Sequence, residues 1–218
     1  MHTVYAGQTG GMSAEEDDAY TRKLAAEDPT GWFEHLYTQA DEGRAAIPWD
    51  LADPHFLLAD RAHDLNGEGR TALVVGCGLG RDSEFIATRG YATTAFDIAP
   101  TAIATIHRRF PDSPVDYRVA DLLSPPAEWH RAFDLVVESI TVQSLPIPLH
   151  LRAITAITDF VAPGGTLLVI AGARDEQIPE GPPWPLTHDE IHAFATNGLR
   201  TVTVDRPEGR WCAEFTRE

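Results

Sequence analysis

The sequence predicts an α/β protein: a mostly parallel sheet with helices on both faces. Three observations predict it. Ala72, Leu73, Val74 and Val75 form a short continuous apolar run, the signature of a strand buried on both faces of a sheet. Gly76, Gly78 and Gly80 follow at alternate positions and lead into a polar helix start. Glycine there lets the backbone turn sharply and leaves no side chain between it and a ligand. Downstream, short apolar runs alternate with helix-period segments, as βα units do.

The chain has 218 residues, of which 43% are hydrophobic, which fits one domain of this class with a core of ordinary size. Residues 1–12 are glycine-rich and aperiodic and are expected to be a flexible tail. The rest, 13–218, reads as a single domain whose first part, 13–66, forms an N-terminal helical cap. The net charge is −16, from 33 acidic and 17 basic residues. Such a field repels a phosphate backbone or an anionic membrane surface, so a small molecule is the expected partner, with no nucleic acid and no membrane. Cys77 and Cys212 are the only cysteines and read as small buried residues. No His, Asp or Glu cluster has metal-ligand spacing, so no metal is expected. No apolar run reaches membrane length and no signal peptide is visible, so a cytoplasmic protein is expected. Oligomeric state is not legible.

In chain order, Ser13 to Glu16 reads as a capping box opening a helix to about Ala26. A second helix starts near Thr30 and carries Trp32, Phe33, Leu36 and Tyr37 on one face, which serves either core packing or a lid over a ligand. Pro48 keeps Ile47-Pro48-Trp49-Asp50 out of regular helix, and His55 to Leu65 is expected to be helical. After the glycine loop, Arg81 to Arg89 reads as a helix ended by Gly90. Tyr91 to Phe96 is the second strand and ends at Asp97. That acid stands 21 positions after Gly76, where α/β nucleotide sites place a carboxylate for ribose hydroxyls. An Asp at a strand end is also a common helix cap, here for the helix expected over Thr101–Phe110, but the glycine loop upstream favours the ribose role. Val115 to Ala120 is the third strand and runs into Asp121-Leu122, a turn former by residue type.

Phe133 to Val137 is the fourth strand, followed by Glu138-Ser139-Ile140-Thr141. Leu149 to Phe160 is a helix, and Pro163-Gly164-Gly165 turns it into a fifth strand, Thr166 to Ile170. Ala171 to Pro185 is expected to be a long loop, the kind that carries function or disorder. Thr187-His188-Asp189-Glu190 is a capping box with Leu186 and Ile191 as its staple, opening a helix to about Asn197-Gly198. Leu199 to Asp205 and Arg210 to Thr216 close the chain as an antiparallel pair, which makes seven strands.

The glycine loop suggests a nucleotide-like cofactor. A dinucleotide fingerprint needs a third small residue where this chain has Arg81, a poor fit. The spacing G-x-G-x-G at Gly76, Gly78 and Gly80 resembles instead the first motif of class I S-adenosylmethionine-dependent methyltransferases. The helix with aromatic residues, Pro48-Trp49-Asp50 and Gly181-Pro182-Pro183-Trp184 are similar to the thiopurine and thiol methyltransferase family. The resemblance implies a Rossmann-like seven-stranded, mostly parallel sheet with an antiparallel last strand. It implies S-adenosyl-L-methionine as cofactor and a small-molecule methyl acceptor, with sulfur favoured over oxygen or nitrogen. The implied cofactor contacts are Trp32, Trp49, Gly76, Cys77, Gly78, Arg81, Asp97, Ile98, Asp121, Leu122 and Glu138. An indole near a sulfonium is attractive because the ring quadrupole draws a diffuse cation. Glu138 and Arg174 are the candidates for catalysis, the first as a polar contact or base and the second as a cation favouring a thiolate. An NAD(P)-dependent oxidoreductase and a non-catalytic cofactor-binding domain are the alternatives.

Overall fold

The computed structural model describes residues 23, 25, 28–61, 64–175 and 177–218. The tail and the Ser13–Glu16 capping box lie outside them. Seven strands form one sheet in the order β3-β2-β1-β4-β5-β7-β6. The strands are β1 (Thr71–Val75), β2 (Ala92–Asp97), β3 (Asp116–Val119), β4 (Phe133–Ser139), β5 (Val161–Gly172), β6 (Leu199–Asp205) and β7 (Arg210–Arg217). β1 to β5 pair in parallel, and β7 runs antiparallel to both β5 and β6. The helices are α1 (Trp32–Asp41), α2 (Phe56–Asp60), α3 (Arg81–Thr88), α4 (Pro100–Arg109), α5 (Ile147–Asp159) and α6 (His188–His192).

Successive residues of a strand point to opposite faces, so a sheet covered on both sides needs unbroken apolar strands. β1 supplies Leu73 and Val75 to one core and Ala72 and Val74 to the other. β4 and β5 divide in the same way. One face packs on α5 through Ala153, Ile154 and Ile157 and on Ile191 of α6. The other packs on Leu57 and Leu58 of α2, Ile86 of α3, and Ile103 and Ile106 of α4. Right-handed crossovers put α3 and α4 on one side, where strand order runs outward from β1, and α5 on the other, where it reverses.

The cap is fastened to α4. Glu34 of α1 accepts from the Thr101 amide at 3.0 Å and the Thr101 hydroxyl at 2.5 Å, a carboxylate at a helix N-terminus. Arg109 grips Asp50 through two bonds of 2.6 Å, and that guanidinium holds the Asp50 carboxyl below its ordinary range.

Three elements differ most from their sequence-based bounds. α6 has its capping box, with Thr187 accepting from the Glu190 amide, but is five residues long rather than reaching Asn197. Ile191 is its one buried residue, and the buried Leu186 and Phe194 flank it on either side. β5 begins at Val161 because Pro163-Gly164-Gly165 is an irregularity within its pairing with β4, between Phe133 and Leu135, with Gly164 at φ +77°. α2 is shorter than His55 to Leu65 and leaves Phe56 exposed.

Candidate active site

The parallel register builds the site. Val75 pairs with Phe96 on one side and with Glu138 on the other, so the chain leaves the sheet at Gly76, Asp97 and Ser139 side by side. This is the carboxyl edge at the point where strand order reverses, where open α/β sheets bind ligands. A cavity of about 210 Å³ opens there. Of the residues expected from sequence to hold a cofactor, Trp49, Gly76, Cys77, Gly78, Arg81, Asp97, Ile98, Asp121 and Leu122 line it.

Gly76 leaves β1 at φ +57°, and a Cβ on it would stand 2.5 Å from Cγ2 and 2.6 Å from Oγ1 of Thr141. Both the turn and the approach of Thr141 therefore require glycine. Alanine at this position is expected to cost about 2–4 kcal/mol, the sum of a left-handed residue and an overpacked contact. Denaturant unfolding of Gly76→Ala checks it. Gly78, at φ +55°, is approached by the Tyr37 hydroxyl and the Trp49 indole. Trp49 Nε1 donates to the Tyr37 hydroxyl at 2.8 Å, which sets the ring over the loop.

Asp97 is buried and accepts from the amides of Gly78 and Ala99, each at 3.0 Å. Burial pushes its pKa up to about 6, against those amide bonds. Its cap-like bond to Ala99 and its place in the cleft coexist. Asp121 likewise does both, accepting from the Leu123 amide at 2.8 Å in an Asx-type turn while lining the cavity. Burial also raises the Cys77 thiol well above its usual range, so it stays a neutral wall group. Asp53, Asp82, Asp97 and Asp121 line the cleft against one guanidinium, Arg81, so the cavity favours a cation.

Three expected site residues stand outside the cleft. Trp32 is 1% exposed, stacked on Phe33 at 4.0 Å and edge-on to Trp49 at 6.0 Å, so it supports the aromatic wall from behind. Arg174 faces the β5–α6 connection: Nε donates to the Pro185 carbonyl at 2.7 Å and a terminal nitrogen reaches Glu190 at 3.2 Å. Glu190 is also met by His150 at 2.8 Å, whose other ring nitrogen meets the Leu145 carbonyl at 2.8 Å. Arg174 thus belongs to a buried ionic tie rather than to the cavity wall. Glu138 is fully buried and turned beneath the segment that follows it. Its Oε1 accepts from the amides of Thr141 at 2.8 Å and Val142 at 2.9 Å, and Oε2 has no partner among the described residues. Burial pushes its pKa up to about 7, opposed by those two amides.

Sequence reasoning missed Leu51, Asp53, His55 and Leu123 on the wall, which is completed by Ile140, Thr141, Ser144 and Leu145 of the segment that follows Glu138. Phe33 and Tyr37 were on the expected aromatic face, which was the available signal. Ile140 carries φ +66°, a conformation that costs a branched residue about 1–3 kcal/mol and that sequence gives no sign of. His55 caps α2, its Nδ1 accepting from the Leu57 amide at 3.3 Å. Burial lowers its pKa, so Nε2 keeps a proton and is a donor.

Residues 72–165 match the family model described as a methyltransferase domain. The ubiquinone biosynthesis O-methyltransferase of Xanthomonas campestris pv. campestris is 37% identical over 103 residues, 46% of this chain and 42% of that protein. The chain thus spans less than half the length of the curated relatives it matches. A protein solved in work on the conversion of a disulfide bond into a thioacetal group during echinomycin biosynthesis superposes with a TM-score of 0.70. It is 21% identical, over 87% of this chain and 91% of that one. The 1,6-didemethyltoxoflavin-N1-methyltransferase of Burkholderia thailandensis, solved with 1,6-didemethyltoxoflavin and S-adenosylhomocysteine, superposes with a TM-score of 0.65. It is 15% identical and covers 98% of each chain. The relative matched in sequence is an O-methyltransferase, so the match supports the class I resemblance and gives no support to its thiopurine branch or to a preference for sulfur. Residues 72–165 of the chain thus match a methyltransferase domain, and its fold is shared with the solved N1-methyltransferase.

Proposed function

We propose that this protein is an S-adenosylmethionine-dependent methyltransferase acting on an oxygen of a small, flat, largely apolar compound. The observation that carries the reading is one cleft joining the Gly76–Gly78 backbone to the Asp97 and Asp121 carboxylates under an aromatic cap. The O-methyltransferase relatives favour oxygen as acceptor atom. When bound, the cofactor supplies a methyl on a sulfonium, open to displacement by a nucleophile.

The residues divide between two ends. Asp97 would accept from ribose hydroxyls, and Ile98 and Leu122, with Asp121 beside them, would hold the base. Gly76, Cys77 and Gly78 offer bare backbone to the amino acid part, with Trp49 and Arg81 alongside. Phe33, Ile140, Ser144 and Leu145 form the acceptor wall and keep water out. The Ser144 hydroxyl donates to the Ile140 carbonyl at 2.9 Å and is not a base. Turnover then rests on in-line positioning.

Calorimetric titration with S-adenosylhomocysteine and with NAD(P), followed by a methylation screen of catechol, phenols, amines and thiols, tests the reading. Homocysteine-derivative binding and O-methylation are expected. NAD(P) binding alone would make the protein an oxidoreductase candidate, and turnover confined to thiols would return sulfur as the acceptor. Cofactor binding without turnover of any class would leave a binding domain.

A further inference from the structure

Three features converge on the segment after β4. Glu138 buries a whole carboxyl with one oxygen unpartnered among the described residues, a group that native interiors ordinarily pair. Ile140, two residues on, holds a left-handed conformation in a branched residue. Thr141 donates its hydroxyl to the Val75 carbonyl at 2.8 Å and fills the space a Gly76 side chain would need. Violations of local rules concentrate where function needs a fixed shape.

We propose that Glu138 is a positioning residue: its carboxylate, held on the Thr141 and Val142 amides, fixes the Ile140–Leu145 wall against the glycine loop and so sets where the acceptor lies relative to the methyl donor. This deepens the reading above and rests on it. The chain of contacts runs from Oε1 to the Thr141 amide, from the Thr141 hydroxyl to the end of β1, and from there to Gly76. The same wall carries Ile140, Ser144 and Leu145 into the cleft. The Asp97 end of the cleft has its own bonds to Gly78 and Ala99, none of which passes through Glu138. Acceptor placement and cofactor affinity are therefore separable.

Three variants test this: Glu138→Ala removes both acceptors, Glu138→Gln keeps a carbonyl oxygen for both amides, and Thr141→Val keeps shape but loses the hydroxyl. In Glu138→Ala, hydrogen exchange across 139–145 is expected to speed at least tenfold with β1 and β2 unchanged. With catechol as acceptor, kcat/KM should fall at least tenfold, chiefly in kcat, while the Kd for S-adenosylhomocysteine stays within threefold. Glu138→Gln should restore most of the rate, and Thr141→Val should share the loss without adding to it in the double variant. Unchanged exchange and rate in Glu138→Ala, or a loss of cofactor affinity as large as the loss of rate, would overturn the proposal. If Glu138→Ala does not fold, full activity in Thr141→Val overturns it. Failure of the wild type to bind S-adenosylhomocysteine, or to methylate catechol, counts against the functional reading instead, and the exchange data then decide for or against Glu138.

Discussion

Replacing Asp97 by alanine is expected to weaken S-adenosylhomocysteine binding by at least about 100-fold while leaving the protein folded. Hydrogen bonds to a charged group are worth roughly 1.5–3 kcal/mol each, two are lost, and about 1.4 kcal/mol is tenfold. Asp97→Asn keeps one acceptor and should lose less. Burial has already raised the carboxyl to about 6, so the free protein holds a partly protonated Asp97 in mildly acidic buffer. Ligand hydroxyls favour the ionised form, so binding should weaken as pH falls through about 6, and Asp97→Asn should lack that limb. Calorimetry between pH 5 and 8 on both proteins measures it. An Asp97→Ala protein with unaltered affinity would remove the ribose assignment.

The second large effect is on stability and reverses the usual sign for an acid. The Glu138 carboxyl titrates near 7 in the fold against 4.5 for an ordinary glutamate. Between those values the native state holds a proton that the unfolded chain has released. Stability contributed by the protonated group is full below pH 4.5 and is lost as pH rises through 7. The loss is on the order of 3 kcal/mol, since one pKa unit is about 1.4 kcal/mol. Glutamine does not titrate, so Glu138→Gln should gain about 3 kcal/mol relative to wild type on going from pH 4 to pH 8. Urea unfolding at the two pH values measures the difference, and Asp97, present in both proteins, cancels. A constant difference between the proteins would mean that Glu138 has an ordinary pKa in the fold. The cost of keeping this carboxyl ionised at neutral pH fits a group retained for the shape it imposes.

What the sequence determined by itself was whatever depends on neighbours along the chain. Ala72–Val75 had to be a doubly buried strand because no polar residue interrupts it. The alternate glycines had to be a turn, Thr187 and Glu190 a cap, and Asp97 the end of a strand. The Arg81 position weighed against a dinucleotide loop and toward a methyl-donor one. These gave the sheet, its helices and nearly the whole glycine and carboxylate side of the cleft. What only the tertiary structure decided depends on registers between segments far apart in sequence. Thr141 meets Gly76 because β4 pairs with β1, 66 positions separating Thr141 from the Val75 carbonyl it bonds. His55 and Leu51 reach the cleft because α1 and the Trp49 loop are clamped to α4 by Glu34 and Asp50. Glu138 and Arg174 are polar residues at the carboxyl edge of the sheet, which by sequence argues for the cavity. Their side chains instead satisfy backbone amides, a carbonyl and a carboxylate, because at a crowded edge a backbone partner within 3 Å outcompetes an open cleft, and that competition is settled only by three-dimensional neighbours.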